Sequence, residues 1–284
     1  MKQLIINADD FGLHEAVNRG IIAGYTQGCI TSTSLIPGGQ AFEQAVSLAK
    51  QNPGLGVGVH LTLVADRPVT DPGQIPSLVD SEGRFIEKYP QFILCYLLGK
   101  VCDAEIRLEL FAQVRKAAAA GIPITHLDSH QHLHVLPGIL RIVIDLAKEF
   151  NIRAIRIPDE SYFFLGGYPF TAFRLIGRSG LTFLARMARK KIIRQGIAAP
   201  DHFYGMLAGG NMREEYLQNI IAQLPNETSE IMMHPGYDNN ILRQAYSWNY
   251  RWQEELAAVK SLQTKQRLEE KRVNLISFKE LAHG

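Results

Sequence analysis

Residues 125–137 read Thr-His-Leu-Asp-Ser-His-Gln-His-Leu-His-Val-Leu-Pro. His126, Asp128, His130, His132 and His134 fall on every second position. An extended chain carries all five on one side, whereas a helix would scatter them around its circumference. Ile122, Ile124 and Leu127 lead in as a short buried strand after the Gly121-Ile122-Pro123 turn, and Pro137 opens an apolar-periodic run to Phe150 that predicts a helix. The cluster is therefore expected at the end of a strand. Imidazoles and a carboxylate converging there suit a divalent metal, and so many histidines in so short a stretch are hard to explain as packing. One ion cannot use all five, so some are expected to hydrogen-bond the ligands instead.

Outward from this stretch the same unit recurs. Leu4 to Asn7 predicts a buried strand ending in Ala8-Asp9-Asp10-Phe11-Gly12, followed by a helix from Glu15 to Gln27 closed by Gly28. Adjacent carboxylates at a strand end raise the cost of ionising each other, an arrangement relieved by a cation or used to hold a base. The alternative is a helix N-cap by Asp9 or Asp10. Thr31 to Ile36 and Gly56 to Leu63 predict two further strands on either side of a helix from about Ala41 to Gln51. His60 lies late in the second of these, the place that Asp10 and His130 hold in theirs. The glycines of Gly56 to Gly58 do not make a dinucleotide fingerprint, because no helix follows them at the required spacing.

Residues 65–89 are rich in Pro, Gly and Asp and are expected to form a functional loop over the site. A helix from Asp103 to Ala120 then precedes the histidine strand. Arg153 to Ile157 predicts a strand with Arg156 at its end, placed to clamp a carboxylate or sugar hydroxyl or, alternatively, to make a surface salt bridge. Ser229 to Met233 predicts another, closed by His234-Pro235-Gly236-Tyr237-Asp238. Short strands at 201–207 and 273–277 and helices at 213–223 and 248–262 complete the pattern.

Strands alternate with helices about seven or eight times, the signature of an α/β chain with a mostly parallel sheet. The length suits a closed or nearly closed barrel over residues 1–284 as a single domain. In that fold Asp9, Asp10, His60, His130, Arg156 and His234 all leave the carboxyl ends of different strands and share one mouth. One carboxylate and two histidines leave coordination positions open for water and substrate, and a second carboxylate beside them can take a proton. The chemistry implied is metal-assisted hydrolysis of a carbonyl or phosphoryl group, with a histidine across the site as proton donor.

Composition bounds the reading further. Thirty basic against 28 acidic residues give a net charge of +2, which speaks against nucleic acid as a partner of the whole chain. Cys29, Cys95 and Cys102 are odd in number and lack metal-site spacing, so a reducing compartment is expected and neither a disulfide framework nor a thiolate zinc site. The apolar run at Leu4 is too short for a signal segment, and no stretch reaches the roughly 20 apolar residues of a membrane span, so the cytoplasm is the expected location. Residues 161–200 stand apart: no Asp or Glu, seven Lys or Arg, and Phe163, Phe164, Tyr168, Phe170, Phe173 and Phe183. This basic, aromatic insertion is expected to grip an amphipathic substrate or lie peripherally on the inner membrane surface, or else to be a covering helical hairpin.

At Ala8 to Gly12, Gly58 to Leu61, His126 to His134 and Met232 to Tyr237, in this order and over nearly the whole chain, the sequence resembles the YdjC-like carbohydrate deacetylases. The resemblance implies an irregular (β/α) barrel and a metal-dependent hydrolase that removes acetyl groups from N-acetylated sugars such as chitin disaccharides. Position by position it implies Asp10, His60 and His130 as ligands of Mg2+ or Zn2+, Asp9 as catalytic base and His234 as general acid. Asp128 is then expected to orient a neighbouring histidine, with Arg156 and His132 as further supporting or substrate-binding residues. The insertion also resembles, more weakly, the branch of the family associated with hopanoid lipid biosynthesis, which implies an N-acetylglucosamine-bearing glycolipid in place of a soluble oligosaccharide. A phosphoesterase and a non-catalytic sugar-binding protein are the competing readings; a homo-oligomer is compatible with all of them.

Overall fold

The computed structural model describes residues 1–168 and 171–281. In chain order the elements begin with β1 (Lys2–Phe11), α1 (Glu15–Gln27), β2 (Ser32–Leu35), α2 (Phe42–Gln51) and β3 (Gly56–Leu61). A long loop leads to α3 (Tyr89–Leu97), α4 (Asp103–Ala119), β4 (Ile124–Ser129) and α5 (Pro137–Glu149). Then follow α6 (Ala172–Arg194), β5 (His202–Tyr204), α7 (Glu214–Gln223), β6 (Thr228–Met233) and α8 (Asn239–Ala245). The last elements are α9 (Trp252–Lys260), α10 (Leu262–Glu270), β7 (Val273–Leu275) and α11 (Phe278–Leu281).

Every strand pair is parallel, in the order β4-β3-β2-β1-β6-β5. Leu4 pairs with both Ser229 and Leu275, and Asn7 with both Met232 and Ser32, so β7 and β2 share one edge of β1 while β6 takes the other. The sheet curls, and the segment after α5 spans the gap between its ends. Leu127 donates to the Ala154 carbonyl at 3.1 Å and accepts from Arg156 at 3.0 Å. Ile155 in turn donates to Ala198 at 2.9 Å, beyond which the chain enters β5. The result is an irregular, barrel-like α/β fold whose closure rests on single-residue bridges. Helices cover the outside, and β1 reads as an apolar run because both its faces are buried.

Three expectations are corrected. The histidine stretch does not stay extended: β4 ends at Ser129, and residues 130–135 turn through a short 3-10 helix with Gln131 and His132 at φ of 55° and 56°. Residues 161–200 hold one long helix, α6, after an irregular approach, where a hairpin was an alternative; Phe170 and the Phe173 side chain lie outside the described residues. The helix expected from Trp248 begins only at Trp252. No described helix is long and apolar enough to cross a membrane.

Candidate active site and metal centre

Strand register assembles the site. His60 in β3 stands opposite Asp128 in β4, and its Nδ1 donates to Asp128 Oδ1 at 2.9 Å. That bond fixes the ring with Nε2 facing β1, 3.6 Å from Asp10 Oδ1 and 4.0 Å from Asp9 Oδ2. Neighbours in a regular strand point to opposite faces, yet Asp9 and Asp10 both reach this centre. The β1–β2 register shifts between Ala8 and Phe11, and Asp10 takes a left-handed φ of 70°. A bulge of this kind re-aims a side chain, and Asp tolerates the conformation better than most residues. His130, released from β4 by the turn, brings Nδ1 to 3.5 Å from Asp10 Oδ1.

Asp10, His60 and His130 thus each offer a ligand atom within 4.8 Å of the other two, and all three are buried. Both Asp10 oxygens and His130 Nε2 are shielded from solvent without a hydrogen-bond partner among the described residues. Buried acceptors left unpaired are costly, and this donor set is one that divalent ions favour, so the residues fit a metal ion. Burial opposes ionisation of Asp10, but the His130 ring 3.5 Å away, with His234 and His60, holds its carboxyl at about 2. Burial also opposes charging His60, yet Asp128 and Asp9 outweigh it and raise the ring to about 9.

Arg156 is not a surface residue but grips carboxylates of the protein itself. It is fully buried, and its guanidinium engages Asp9 through Nη1 and Nη2 at 2.7 Å each, Asp128 Oδ2 at 2.8 Å and Glu230 Oε1 at 2.7 Å. Burial opposes its charge, but Asp128, Asp9 and Glu230 hold the guanidinium ionised. Asn7 Nδ2 adds a 2.8 Å bond to Asp9 Oδ1. Asp9 is therefore held rigidly beside the cluster by a planar fork, a geometry that suits Arg and not Lys.

His234 follows β6. Its backbone N–H donates to Glu255, and its Nδ1 lies 3.8 Å from Glu255 Oε2. The ring packs 4.9 Å from Tyr250 and is close enough to Asp10 to act on its charge.

The remaining histidines fall outside the cluster. His126 stacks on Phe278 at 3.7 Å and pairs with Ser34 and Thr125, and burial pushes it down to about 3. His134 bridges Ser129 Oγ and the Arg156 carbonyl, and burial pushes it down to about 4. His132 is buried edge-on to Phe203 and His134, away from the Asp10 cluster, and burial keeps it neutral. Sequence reasoning missed Asn7, Ser34, Glu230 and Glu255, which carry no motif. It also missed the aromatic run Tyr246, Trp248, Tyr250 and Trp252, although its every-second-residue spacing was there to be read.

A curled parallel sheet bearing an Asp/His cluster and a braced second carboxylate at its carboxyl edge defines a barrel-like α/β protein with a cluster able to hold a metal ion. The family model described as YdjC-like protein matches residues 3–270, and the chain belongs to that family. A carbohydrate deacetylase of Clostridium beijerinckii is 34% identical over 98% of this chain and 100% of its own. Another, from Brevibacillus brevis, is 34% identical over 98% and 99%. Among solved structures, a candidate cellobiose-phosphate cleavage protein of Enterococcus faecalis V583 superposes with a TM-score of 0.77 at 26% identity, covering 99% of this chain and 98% of that one.

Proposed function

We propose that this chain is a metal-dependent hydrolase that removes the acetyl group from an N-acetylated sugar, with an N-acetylglucosamine unit as substrate. The observation that carries the reading is the pairing of the buried Asp10-His60-His130 cluster, whose Asp10 oxygens and His130 Nε2 lack partners among the described residues, with a second carboxylate, Asp9, locked against it by Arg156. Relatives named carbohydrate deacetylase, matched along their whole length, support the same reaction.

Asp10, His60 and His130 would hold a divalent ion, Mg2+ or Zn2+, which when bound supplies Lewis acidity toward the acetyl carbonyl and toward water. Asp128 fixes the tautomer of His60 by taking its Nδ1 proton in a hydrogen bond. Asp9 accepts a proton from the attacking water, and Arg156 keeps that carboxylate aimed. His234 donates a proton to the departing sugar amine, with Glu255 holding its backbone in place.

A phosphoester reading has less support: Asp9, Asp10 and Asp128 crowd the centre with negative charge, and Arg156 is already engaged by Asp9, Asp128 and Glu230. A binding-only protein has no use for a braced base beside the cluster.

The test is acetate release from N-acetylglucosamine oligosaccharides and from a lipid-linked N-acetylglucosamine, using protein stripped with chelator and reloaded with Mg2+ or Zn2+. Release is expected only with an ion, and Asp9→Asn is expected to lower kcat by roughly a hundredfold or more. The preferred acceptor separates a soluble from a glycolipid substrate. No release from any of them by ion-loaded protein sinks the reading.

A further inference from the structure

Three aromatic residues that the hydrolytic chemistry does not use stand against the site. Ring centroids run from Tyr246 to Trp248 at 5.0 Å, on to Tyr250 at 5.5 Å and on to Trp252 at 5.5 Å. The strap is fixed along its length. The Tyr246 hydroxyl donates to the Leu13 carbonyl at 3.1 Å and accepts from Gln40 Nε2 at 3.2 Å. Arg251 donates to the Gly210 carbonyl at 2.8 Å, and Gly210 leaves the space that the Tyr250 ring fills. Ser247 Oγ reaches across to Glu87 at the end of the long loop.

Trp252 is fully buried and serves the core, but Tyr246, Trp248 and Tyr250 remain half-buried. Trp248 lies 5.0 Å from the His130 ring and Tyr250 4.9 Å from the His234 ring, so the run spans the mouth from a cluster histidine to the proton donor. Packing alone does not account for three partly open rings at that position. In the long loop, Asp66 takes its neighbour's N–H on Oδ1 at 2.8 Å and leaves Oδ2 shielded from solvent with no partner among the described residues. Its carboxylate lies close enough to His130, Asp10 and Tyr246 to interact with each.

An aromatic surface beside an unpaired, shielded acceptor is the chemistry that recognises a neutral sugar: ring faces for its C–H surface, a carboxylate for a hydroxyl. We propose that Tyr246, Trp248 and Asp66 form a pyranose subsite adjoining the catalytic cluster, with Asp66 Oδ2 accepting a sugar hydroxyl. The proposal rests on the deacetylase reading for its choice of ligand.

The chain has two tryptophans, and Trp252 is buried, so an emission change on adding sugar reports on Trp248. N,N'-diacetylchitobiose is titrated into ion-loaded Asp9→Asn protein, with Trp248→Phe and Trp252→Phe versions alongside. Acetate release is measured in otherwise native protein carrying Trp248→Ala, Tyr246→Ala or Asp66→Asn. A saturable emission change that survives Trp252→Phe and vanishes in Trp248→Phe is expected. Trp248→Ala and Asp66→Asn are expected to raise KM about tenfold while kcat stays within about threefold. Acetate release with a silent Trp248, or with KM unchanged in both variants, overturns the subsite and leaves the deacetylase reading standing. A saturable Trp248 response without acetate release upholds the subsite and overturns that reading.

Discussion

Arg156 shows how one residue sets the electrostatics of this centre. Three buried carboxylates meet one guanidinium, so the charges do not balance, and the excess falls on the partner with the fewest other donors. Glu230 Oε1 accepts from Arg156 Nε at 2.7 Å, but Oε2 has no partner among the described residues. Burial accordingly pushes Glu230 up to about 8 against the pull of Arg156. A carboxyl raised in this way binds its proton more tightly folded than unfolded. Its contribution to stability is fully present below the ordinary value of 4.5 and is lost as pH rises through about 8. Glu230→Gln keeps an acceptor for Nε and removes the charge. The variant should match the parent near pH 4 and exceed it in stability near pH 9, with each kcal/mol seen as roughly 2 °C in Tm. Thermal unfolding across that window, read as the difference between the two proteins, cancels the other titrating groups. A difference that does not grow with pH removes the argument.

At the level of elements, close packing of α1 against the loop after β6 holds His234 in place. A Cβ on Gly20 would stand 2.4 Å from the Cα of Gly236, with backbone on both sides and no flexible side chain to yield. Tyr237 also donates to the Ala16 carbonyl at 3.0 Å, tying the same loop to the same helix. Gly20→Ala is expected to cost about 1–3 kcal/mol through overpacking and to lower kcat by displacing His234. Gly177→Ala, in α6 with nothing within 4 Å of the new Cβ, serves as control and should be neutral or stabilising by about 0.4–1 kcal/mol. Equal unfolding midpoints and equal activity for Gly20→Ala and the parent would refute the packing account. The elements themselves were largely legible, because apolar periodicity and Gly or Pro punctuation are local signals: the α1 boundaries agree with the expectation to the residue. What was not legible depends on partners distant in sequence. The run of alternating histidines leaves its strand at Ser129, so alternation holds for His126 and Asp128 but could not place His130, His132 or His134, and the histidine that Asp128 orients, His60, emerges only from the strand register. The alternation of Tyr246, Trp248 and Tyr250 carried the same local signal, hidden by the amphipathic pattern of the helix that follows.

For the molecule as a whole, the cluster draws together β1, β3 and the turn after β4, elements that Arg156 and Ser34 already link through Asp9, Asn7 and Asp128. Asp10 comes from β1, His60 from β3 and His130 from the turn after β4, so one ion would cross-link three strands on one side of a fold whose closure is made of single-residue bridges. The motifs made the gathering of these residues foreseeable from sequence, but left Arg156 between a clamp at the mouth and a surface salt bridge, since nothing local distinguishes a buried arginine from a surface one. Asp9, Asp128 and Glu230 share Arg156 as their fully buried guanidinium partner, Asp10 is buried beside them without one, and a divalent cation would offset part of the remaining negative charge. Binding to the folded state alone adds stability by mass action, about 2.7 kcal/mol at a hundredfold excess over Kd. For a chain of this size that corresponds to a rise in Tm of roughly 4–5 °C. Thermal unfolding of chelator-treated protein, with and without added Mg2+ or Zn2+, measures the shift independently of any substrate. Asp10→Asn should abolish the ion-dependent part of it while leaving the protein folded, because that side chain has no protein hydrogen bond to lose. An ion-dependent shift that survives in Asp10→Asn would place the ion elsewhere in the chain, and no shift with either ion would mean that the three strands are held by their own packing.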